Sequence, residues 1–406
     1  MKARFLSQIC GAAALALLVL AISPVALAKE TRVHEFPGGV DPVGLVADHA
    51  GNLYGTTGSD GFYGRGTVFQ VRPSVYGIWT ESAIYSFSGG SDGGNPEAVL
   101  TLDAKGNLYG TTQYGGSGTC ACGTVFELSP SANGVWKETT LYTFAGGADG
   151  LSPRYTNLIF DSAGNLYGVT EFGGSSSAGT VFELSPQAGG GWTESVLYTF
   201  AGGTSDGANP LGGLVFDKAG NLYGSANSGG SRQCGSGCGG VFELSPQAGG
   251  GWQERMLYFF QNGADGAIPD ALLIMDPSGN LYGATQVGGS GSCGTVFELS
   301  PGTGGTWNQQ TLHEFAGSDG CEPFLNMVRD SAGNIFGITE AGGAKSSGTI
   351  FEITPGGAEK VVFSFPGGNG GADPRSLIVG PTGQALFGVT FDLYGNGPGV
   401  LFEVSR

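Results

Sequence analysis

The sequence predicts an all-β protein, a seven-bladed β-propeller with four antiparallel strands in each blade. Three observations predict it. One glycine-rich phrase recurs seven times, each repeat holds four strand-like segments, and the last repeat lacks a fourth segment that the start of the chain supplies. No window carries a helical stripe of apolar residues over three turns, so helices are expected to be absent or trivial.

The recurring phrase is GNLYGTT at residues 51–57, followed by its near copies. The seven copies begin at Gly51, Gly106, Gly164, Gly220, Gly279, Gly333 and Gly383. Successive copies are 50 to 59 residues apart, and a period of this length holds several secondary-structure elements per unit. The phrase is therefore interpreted as architecture, a second-strand motif, and not as catalytic machinery.

The unit near Pro210 shows the four strands of one blade. They are GGLVFD (Gly212–Asp217), GNLYGSA, GGVFELSP (Gly239–Pro246) and GWQERMLYFF (Gly251–Phe260). Each segment is rich in β-branched and aromatic residues and is bounded by Gly, Pro, Asp or Asn, as strands are. A D-x-x-G turn joins the first two strands in six units, and Gly380 replaces the Asp in the seventh.

The chain ends predict how the ring closes. Unit seven stops after its third strand, Gly399–Ser405, while the segment Thr31–Phe36 matches fourth strands such as Ser195–Phe200. We expect the N-terminal strand to pair with the C-terminal one. An open solenoid would have no reason to divide one unit between its two ends.

The phrase GNLYGTT…GTVFELSP resembles the GloVer (Gloeo-Verruco) tandem repeat of exported bacterial choice-of-anchor proteins, over essentially the whole mature chain. The pattern P-x-x-L-x-x-D-x-x-G-N-L-Y is also similar to NHL-type propeller repeats. The resemblance implies an exported repeat protein and supports the architecture, but it implies no particular activity. Members tend to append anchoring tails, and the final residues VLFEVSR of this sequence are not expected to form one.

Residues 1–28 are predicted to be a secretory signal peptide. Lys2 and Arg4 precede a short apolar stretch and an Ala-Leu-Ala exit. Residues 29–406 are expected to form a single propeller domain without a membrane span, located in the periplasm, on the cell surface or outside the cell.

The mature chain is acidic, with a net charge of −19 once Lys2 and Arg4 are removed. Nucleic acids and anionic lipids require clustered Lys and Arg, so neither is expected as a partner. Cations, neutral glycans and other proteins remain candidates, and a monomer is expected. The acidity has an alternative explanation, since it keeps exported proteins soluble.

Candidate binding residues come from two alignment columns that vary although the repeat is otherwise regular. In a propeller, first strands line the channel, and the loops before the first strand and after the second open on one face. The candidates at this predicted mouth are Glu97, Gln113, Arg154, Glu171, Asn227, Asp270, Gln286, Glu340 and Arg375. Neutral drift also explains the variation. The first choices for a polar mouth are the combinations of Glu171 with Arg154 and Glu340 with Arg375.

An acidic loop, F-x-G-G-x-D-G, precedes the next blade and offers weak Ca²⁺ candidates. They are Asp92, Asp149, Asp206, Asp265 and Asp319, with Asp41 and a shifted Asp373 in the same column. Each loop offers one carboxylate, whereas Ca²⁺ takes six or more oxygen ligands. A turn-capping role for these Asp residues is the alternative. No cofactor is therefore assigned.

The function indicated is a binding scaffold for a glycan or a surface protein. The alternative is a propeller enzyme, a hydrolase or a lyase, that acts on a polysaccharide or a lactone with or without the assistance of Ca²⁺. The three His residues, His34, His49 and His313, suggest no catalytic triad or His-rich metal set. Paired carboxylates at the mouth keep the enzyme alternative open.

Six cysteines remain after export, an even number that favours disulfides in an oxidising compartment. Cys234 and Cys238 flank a short loop and are expected to pair. Cys293 and Cys321 lie in loops of neighbouring blades, a placement that allows a second bridge between them. Cys120 and Cys122 are so close in sequence that a bridge implies strain, which leaves an unusual pair or two thiols.

Overall fold

The computed structural model describes residues 28–37, 39–74, 76–391 and 398–406, and it confirms the seven-bladed propeller. The predicted signal peptide lies outside the described residues except for Ala28. Each blade is an antiparallel sheet whose strands pair in chain order from the channel outward, except that the N-terminal strand is the outermost strand of the last blade. Within the described ranges the helices are two short 3₁₀ turns, Thr303–Gly305 and Gly368–Gly370. None of the described helices has the length and apolar character needed to cross a bilayer.

The blades are numbered in chain order, and blade 1 begins with the first strand after the N-terminal strand. Blade 1 consists of Pro42–Ala47, Leu53–Thr57, Thr67–Pro73 and Trp79–Ser86, and blade 2 of Thr101–Leu102, Leu108–Thr112, Thr124–Pro130 and Trp136–Thr143. Blade 3 consists of Ile159–Phe160, Leu166–Thr170, Thr180–Pro186 and Trp192–Thr199, and blade 4 of Gly207–Phe216, Leu222–Gly229, Gly240–Pro246 and Trp252–Phe259.

The remaining blades vary more in their first strands. Blade 5 consists of Ile274–Met275, Leu281–Thr285, Thr295–Pro301 and Trp307–Glu314. Blade 6 has an interrupted first strand, Cys321–Pro323 and Val328–Arg329, followed by Ile335–Ala341, Thr349–Ile353 and Glu359–Ser364. Blade 7 consists of Pro374–Val379, Ala385–Thr390, Val400–Ser405 and the N-terminal strand Glu30–Glu35.

Ring closure occurs as the sequence predicted. Glu30–Glu35 pairs antiparallel with Val400–Ser405, from Glu30 opposite Val404 to Glu35 opposite Val400. The Phe36 N–H then donates to the Gly399 carbonyl over 2.8 Å. The first and last strands thus complete one blade, with the N-terminal strand as its outer edge.

The repeated phrase builds a hydrogen-bonded turn around one Asp. In blade 4, Asp217 Oδ1 accepts the N–H groups of Ala219 and Asn221 at 2.8 and 2.9 Å. Its Oδ2 accepts the Asn221 amide and the Tyr223 hydroxyl at 2.8 and 3.2 Å. Gly220 supplies the φ of 89° that the turn requires. Asp, Gly, Asn and Tyr of the phrase are therefore structural residues, as expected.

The seventh unit departs from this turn, with Gly380 where the other six units have Asp. A Cβ at Gly380 would lie 2.6 Å from Cε2 of Phe387, so an Asp there would require the Phe387 ring to move. The backbone turn persists, with the Gly383 N–H donating to the Gly380 carbonyl over 2.8 Å.

The core lies between blades and is built from one repeated aromatic contact. A Phe that follows each fourth strand packs against the Phe of the third strand in the next blade. The seven pairs have ring centroids 5.0–5.2 Å apart: Phe36–Phe69, Phe87–Phe126, Phe144–Phe182, Phe200–Phe242, Phe260–Phe297, Phe315–Phe351 and Phe365–Phe402. Burial of these rings supplies a large part of the hydrophobic stabilisation that locks neighbouring blades together.

The cysteines at 120, 122, 234, 238, 293 and 321 form three disulfides: Cys120–Cys122, Cys234–Cys238 and Cys293–Cys321. The second and third are those expected. For the first, the structure selects the unusual pair over two thiols, because Ala121 adopts a φ of 51° and the two Cα atoms are 5.2 Å apart. Three disulfides are typical of a protein from an oxidising compartment.

Candidate binding site at the channel mouth

Three positions in every blade form one end of the channel, and each is fixed by local sequence. Two flank the proline that enters the first strand, and the third directly follows the repeated phrase in the second strand. We call this set the mouth. Its members are Asp41, Val43 and Gly58; Asn95, Glu97 and Gln113; Ser152, Arg154 and Glu171; Asn209, Leu211 and Asn227; Ile268, Asp270 and Gln286; Glu322, Phe324 and Glu340; Asp373, Arg375 and Phe391.

Two Arg–Glu ion pairs span adjacent positions of the mouth. Arg154 Nη2 donates to Glu171 Oε1 at 3.0 Å, and Arg154 Nε lies 2.6 Å from Glu171 Oε2 without hydrogen-bond geometry. Arg375 Nη1 pairs with Glu340 Oε1, from the neighbouring blade. Hydrogen bonds between charged groups of this kind are stronger than those between neutral groups. The two combinations preferred from sequence are thus direct contacts, while their role in ligand binding stays a prediction.

Aromatic rings hold both arginines and meet across the channel. The Arg154 guanidinium lies 5.1 Å from the Tyr155 ring, and that of Arg375 lies 5.1 Å from Phe324 and 5.6 Å from Phe391. Tyr155 of blade 3 and Phe324 of blade 6 come from opposite sides of the ring, and their centroids are 5.7 Å apart. The two rings therefore narrow the channel near its axis, below the other side chains of the mouth.

Asp41 and Glu97 form a carboxyl pair beside the gap left by Gly58. A Cβ at Gly58 would lie 3.3 Å from Glu97 Oε1 and 3.6 Å from Asp41 Oδ2, so both carboxyl groups border the same space. Burial raises the pKa of Asp41 to about 6, although Arg375 opposes the rise. Burial and the Asp41 charge raise the pKa of Glu97 as well. Asp41 Oδ1 is buried and accepts no hydrogen bond from the described residues.

Asp270 is the most deeply buried acid of the mouth, with 6% of its surface exposed. The Asn227 amide donates to its Oδ1, which joins two of the residues predicted from sequence. Burial nevertheless raises the pKa of Asp270 to about 7, and the nearby charges of Glu340 and Glu171 add to the rise. Near neutral pH this carboxyl group can therefore both donate and accept hydrogen bonds.

The other predicted members occupy the mouth with less chemistry. The Asn95 amide donates to Glu97 Oε1 at 3.1 Å and to Gln113 Oε1 at 3.2 Å, and Gln113 is buried. Gln286 is half-buried, and its backbone N–H donates to the Ile268 carbonyl over 2.8 Å. The site that results contains acidic and amide side chains together with two arginines, each of which is paired with a glutamate.

Sequence reasoning placed Asp41 in the wrong column. It was aligned with the acidic loop, whereas the structure puts its side chain at the mouth. The missed signal is its position directly before Pro42, where blade 2 has Asn95 before Pro96. Asp92, a true loop residue, stands four positions before that proline. Tyr155 and Phe324 were also not proposed as site residues, because an aromatic at one position does not reveal a partner across the ring.

The five Ca²⁺ candidates of the acidic loops cap turns. Asp149 Oδ2 accepts the Ala145 N–H at 2.7 Å and the Tyr142 hydroxyl at 3.0 Å, and Asp206 and Asp265 make the same pair of contacts. Asp92 repeats the arrangement with Tyr85, and Asp319 with a histidine. These contacts correspond to the capping alternative, and Ca²⁺ binding by these residues stays a prediction.

The fold and the mouth define a β-propeller with a polar site at one end of its channel. The family model described as Gloeobacter/Verrucomicrobia repeat matches residues 24–238 and 236–406. The chain belongs to this repeat family, in agreement with the resemblance seen in its sequence. No curated protein sequence matches it.

Solved structures show the same fold at low sequence identity. Virginiamycin B lyase from Staphylococcus aureus is 10% identical, with a TM-score of 0.59 over 93% of this chain and 99% of that one. The extracellular domain of a candidate one-component system from B. thetaiotaomicron is 13% identical, with a TM-score of 0.56 over 93% of this chain and 42% of that one. A candidate 6-phosphogluconolactonase from Bacteroides fragilis is 13% identical, with a TM-score of 0.52 over 93% and 95%. These likenesses concern the fold alone.

Proposed function

We propose that the protein is an exported scaffold that binds a neutral, hydroxyl-rich ligand, a glycan, at the channel mouth. The observation that carries the proposal is the charge balance of the mouth. Seven carboxyl side chains occur among its positions, against two arginines that are each already paired with a glutamate. An anionic ligand would meet this excess of acid and would have to displace a glutamate from its arginine.

The protonation behaviour of the mouth suits sugar hydroxyls. Burial raises the pKa of Asp41 to about 6 and that of Asp270 to about 7, so these groups lie between the acceptor-only and donor–acceptor forms near neutral pH. A hydroxyl is both a donor and an acceptor, so it can pair with either form. The side-chain amides of Asn95 and Asn227 likewise both donate and accept hydrogen bonds.

Two exposed aromatic residues extend the site. Tyr114 and Phe172 directly follow Gln113 and Glu171 and are 54% and 38% exposed. Exposed rings beside a polar cleft are able to cover the apolar face of a ligand while polar groups fix its orientation. The export signal predicted from sequence and the three disulfides support a role outside the cytoplasm.

A glycan array tests the proposal with the mature protein, residues 29–406, with and without EDTA. We expect binding of a defined set of neutral glycans. Glu97→Gln and Glu171→Gln should each weaken the affinity about tenfold or more, since a hydrogen bond to a charged group contributes about 1.5–3 kcal/mol. EDTA should have no effect at the mouth, because its binding groups need no Ca²⁺.

The matched control is Glu127→Gln, which removes a carboxylate from the third strand of blade 2, away from the mouth. Its affinity should equal that of the unmodified protein. Binding unchanged in both mouth variants would contradict the assignment and would place any ligand on the rim or sides.

One observation favours a second candidate, a propeller enzyme acting on a polysaccharide or lactone. Asp41 and Glu97 border one space, and the raised pKa values of both suit an acid–base role. Virginiamycin B lyase and the candidate lactonase have a similar fold, which supports feasibility only. Incubation with bound glycans, followed by chromatography of the products, tests it. Turnover lost in Asp41→Asn with binding retained would support the enzyme, and the absence of any product would exclude it for those glycans.

A further inference from the structure

Between blades 5 and 6, at the outer rim, a histidine occupies a position that holds a tyrosine at four other interfaces. His313 lies near the end of the fourth strand of blade 5, and its Nε2 is 2.8 Å from Asp319 Oδ2 in the acidic loop. Glu359 begins the fourth strand of blade 6. One ligand atom from each of the three lies within 4.8 Å of the others, and all three side chains are half-buried.

Four of the other six rim interfaces provide a natural series for comparison; the remaining two have His34 and Phe363 at the position of His313. In the four, a Tyr donates its hydroxyl to the loop Asp, and the next blade contributes an acid or an amide. They are Tyr85–Asp92–Glu138, Tyr142–Asp149–Glu194, Tyr198–Asp206–Glu254 and Tyr258–Asp265–Gln309. A phenol at neutral pH donates a hydrogen bond and is a weak ligand, whereas imidazole is the commonest metal ligand among side chains. Only the interface of His313 therefore combines a strong nitrogen ligand with two carboxylates among these five.

The cluster also carries an excess of negative charge. Glu359 Oε1 is buried and accepts no hydrogen bond from the described residues, and the same is true of Glu194 Oε1 and Glu254 Oε1 at two of the tyrosine interfaces. Two carboxylates and one imidazole at this spacing leave a negative charge that an ion between them would neutralise.

The donor set decides which ion fits. Ca²⁺ and Mg²⁺ prefer six or more oxygen ligands or near-octahedral oxygen geometry, and neither prefers imidazole. Zn²⁺ and Co²⁺ accept imidazole together with carboxylate oxygen, at metal–ligand distances of about 2.0–2.2 Å. Two ligands of a tetrahedral ion are about 3.4 Å apart at these distances, so small rotations of the Glu359 and His313 side chains suffice to close the site.

We propose that His313, Asp319 and Glu359 bind a divalent transition-metal ion of the Zn²⁺ type at the interface of blades 5 and 6. The remaining coordination position faces solvent, because all three residues are partly exposed. The ion would tie the end of one blade to the start of the next, near the Cys293–Cys321 disulfide that joins the same two blades. This site is separate from the mouth and does not depend on the glycan proposal.

Titration of the metal-stripped mature protein with Co²⁺ tests the proposal, with visible absorption and calorimetry as readouts. We expect one equivalent per chain with a d–d band of low-symmetry coordination. Saturating Zn²⁺, at about a hundredfold excess over Kd, should raise Tm by about 3 °C. Neither signal in the unmodified protein would overturn the proposal and would leave an Asp–His ion pair as the whole content of the cluster.

Two variants use the natural series as controls. His313→Tyr recreates the residue found at four other interfaces, so the fold should persist by circular dichroism while the Co²⁺ band disappears and affinity falls about a hundredfold. The reciprocal Tyr198→His places an imidazole beside Asp206 and Glu254 and should add a second equivalent. Equal Co²⁺ uptake by the unmodified protein and His313→Tyr would show that the ion binds elsewhere. A Tyr198→His protein with no added equivalent would show that the imidazole does not complete such a site.

Discussion

The blade bodies and the channel mouth follow opposite rules in the same repeat. In the body, one solution recurs in every blade. The seven Phe–Phe contacts have centroid distances within 5.0–5.2 Å, and the Asp-centred turn recurs at six of seven hairpins. At the mouth, the residue that directly follows the repeated phrase is Gly58, Gln113, Glu171, Asn227, Gln286, Glu340 or Phe391.

The difference shows which positions packing determines. Every blade presents the same interface to its neighbour, so the same side chains solve the same steric problem seven times. The mouth has no such constraint, and its side chains instead interact with one another around the ring. Arg375 lies close enough to Glu340, Asp41 and Tyr155 to affect their pKa values, although these residues come from four blades. Burial there raises the pKa of acids, which costs stability, whereas burial in the body provides it.

The largest expected effect comes from breaking the repeated contact. Phe242→Ala removes a fully buried ring that packs 5.0 Å from Phe200, and it should lower the free energy of unfolding by about 3–5 kcal/mol. Phe62→Ala is the control, since this ring is 86% exposed and its loss should change stability by less than about 0.5 kcal/mol. Urea denaturation measures both. A similar cost for the two variants would contradict the distinction between body and surface.

The fold could be predicted from the sequence because the same motif occurs in every blade. Seven copies of one phrase fixed the blade count, and Thr31–Phe36 could be assigned to the last blade from its likeness to other fourth strands. Even so, the strand bounds shifted by one residue, to Glu30–Glu35 and Val400–Ser405. Alternative assignments of the ends were few, since a closed ring needs a fourth strand for blade 7.

The site was readable only in part, because each blade contributes to it once. Arg154 with Glu171 could be paired from one unit, since strand register places both at the same end of blade 3. The contact between Tyr155 and Phe324 depends on the ring diameter and on blades three apart, which no local pattern encodes. Asp41 was misplaced because a column was defined by residue type, when distance to the next proline was the structural marker.

A smaller effect, of opposite sign, should come from the mouth. Burial raises the pKa of Asp270 from 3.8 to about 7, so the folded state binds a proton that the unfolded state releases. The stability from this group is present below about pH 4 and is lost as pH rises toward 7. Asp270→Asn should therefore match the unmodified protein at pH 4 and exceed it by about 2 kcal/mol at pH 8.

Urea denaturation of Asp270→Asn across this pH range sharpens the comparison between mouth and body. A functional site retains groups that lower stability, so a stabilising substitution is expected there and not at Phe242. Asn227→Ala serves as the control, because it removes the amide that holds the carboxyl group and should not add stability at pH 8. A loss of stability at every pH in Asp270→Asn would indicate that the carboxylate is a structural element of the ring.

The smallest effect tests whether the rim behaves like the body or like the mouth. Burial and the nearby charge of Asp149 raise the pKa of Glu194 to about 7, and blade 5 has Gln309 at the equivalent position. Stability from Glu194 is thus present below about pH 4.5 and lost as pH rises through 7. Glu194→Gln should gain about 1 kcal/mol at pH 8, after allowance for solvent screening of this half-exposed group. Gln309→Glu should introduce the matching loss beside Asp265. The prediction is contradicted if the free energy of unfolding changes by the same amount between pH 5 and pH 8 in both variants. In that case the charged carboxylates of the rim do not lower stability, and the pH dependence comes from the acids of the mouth.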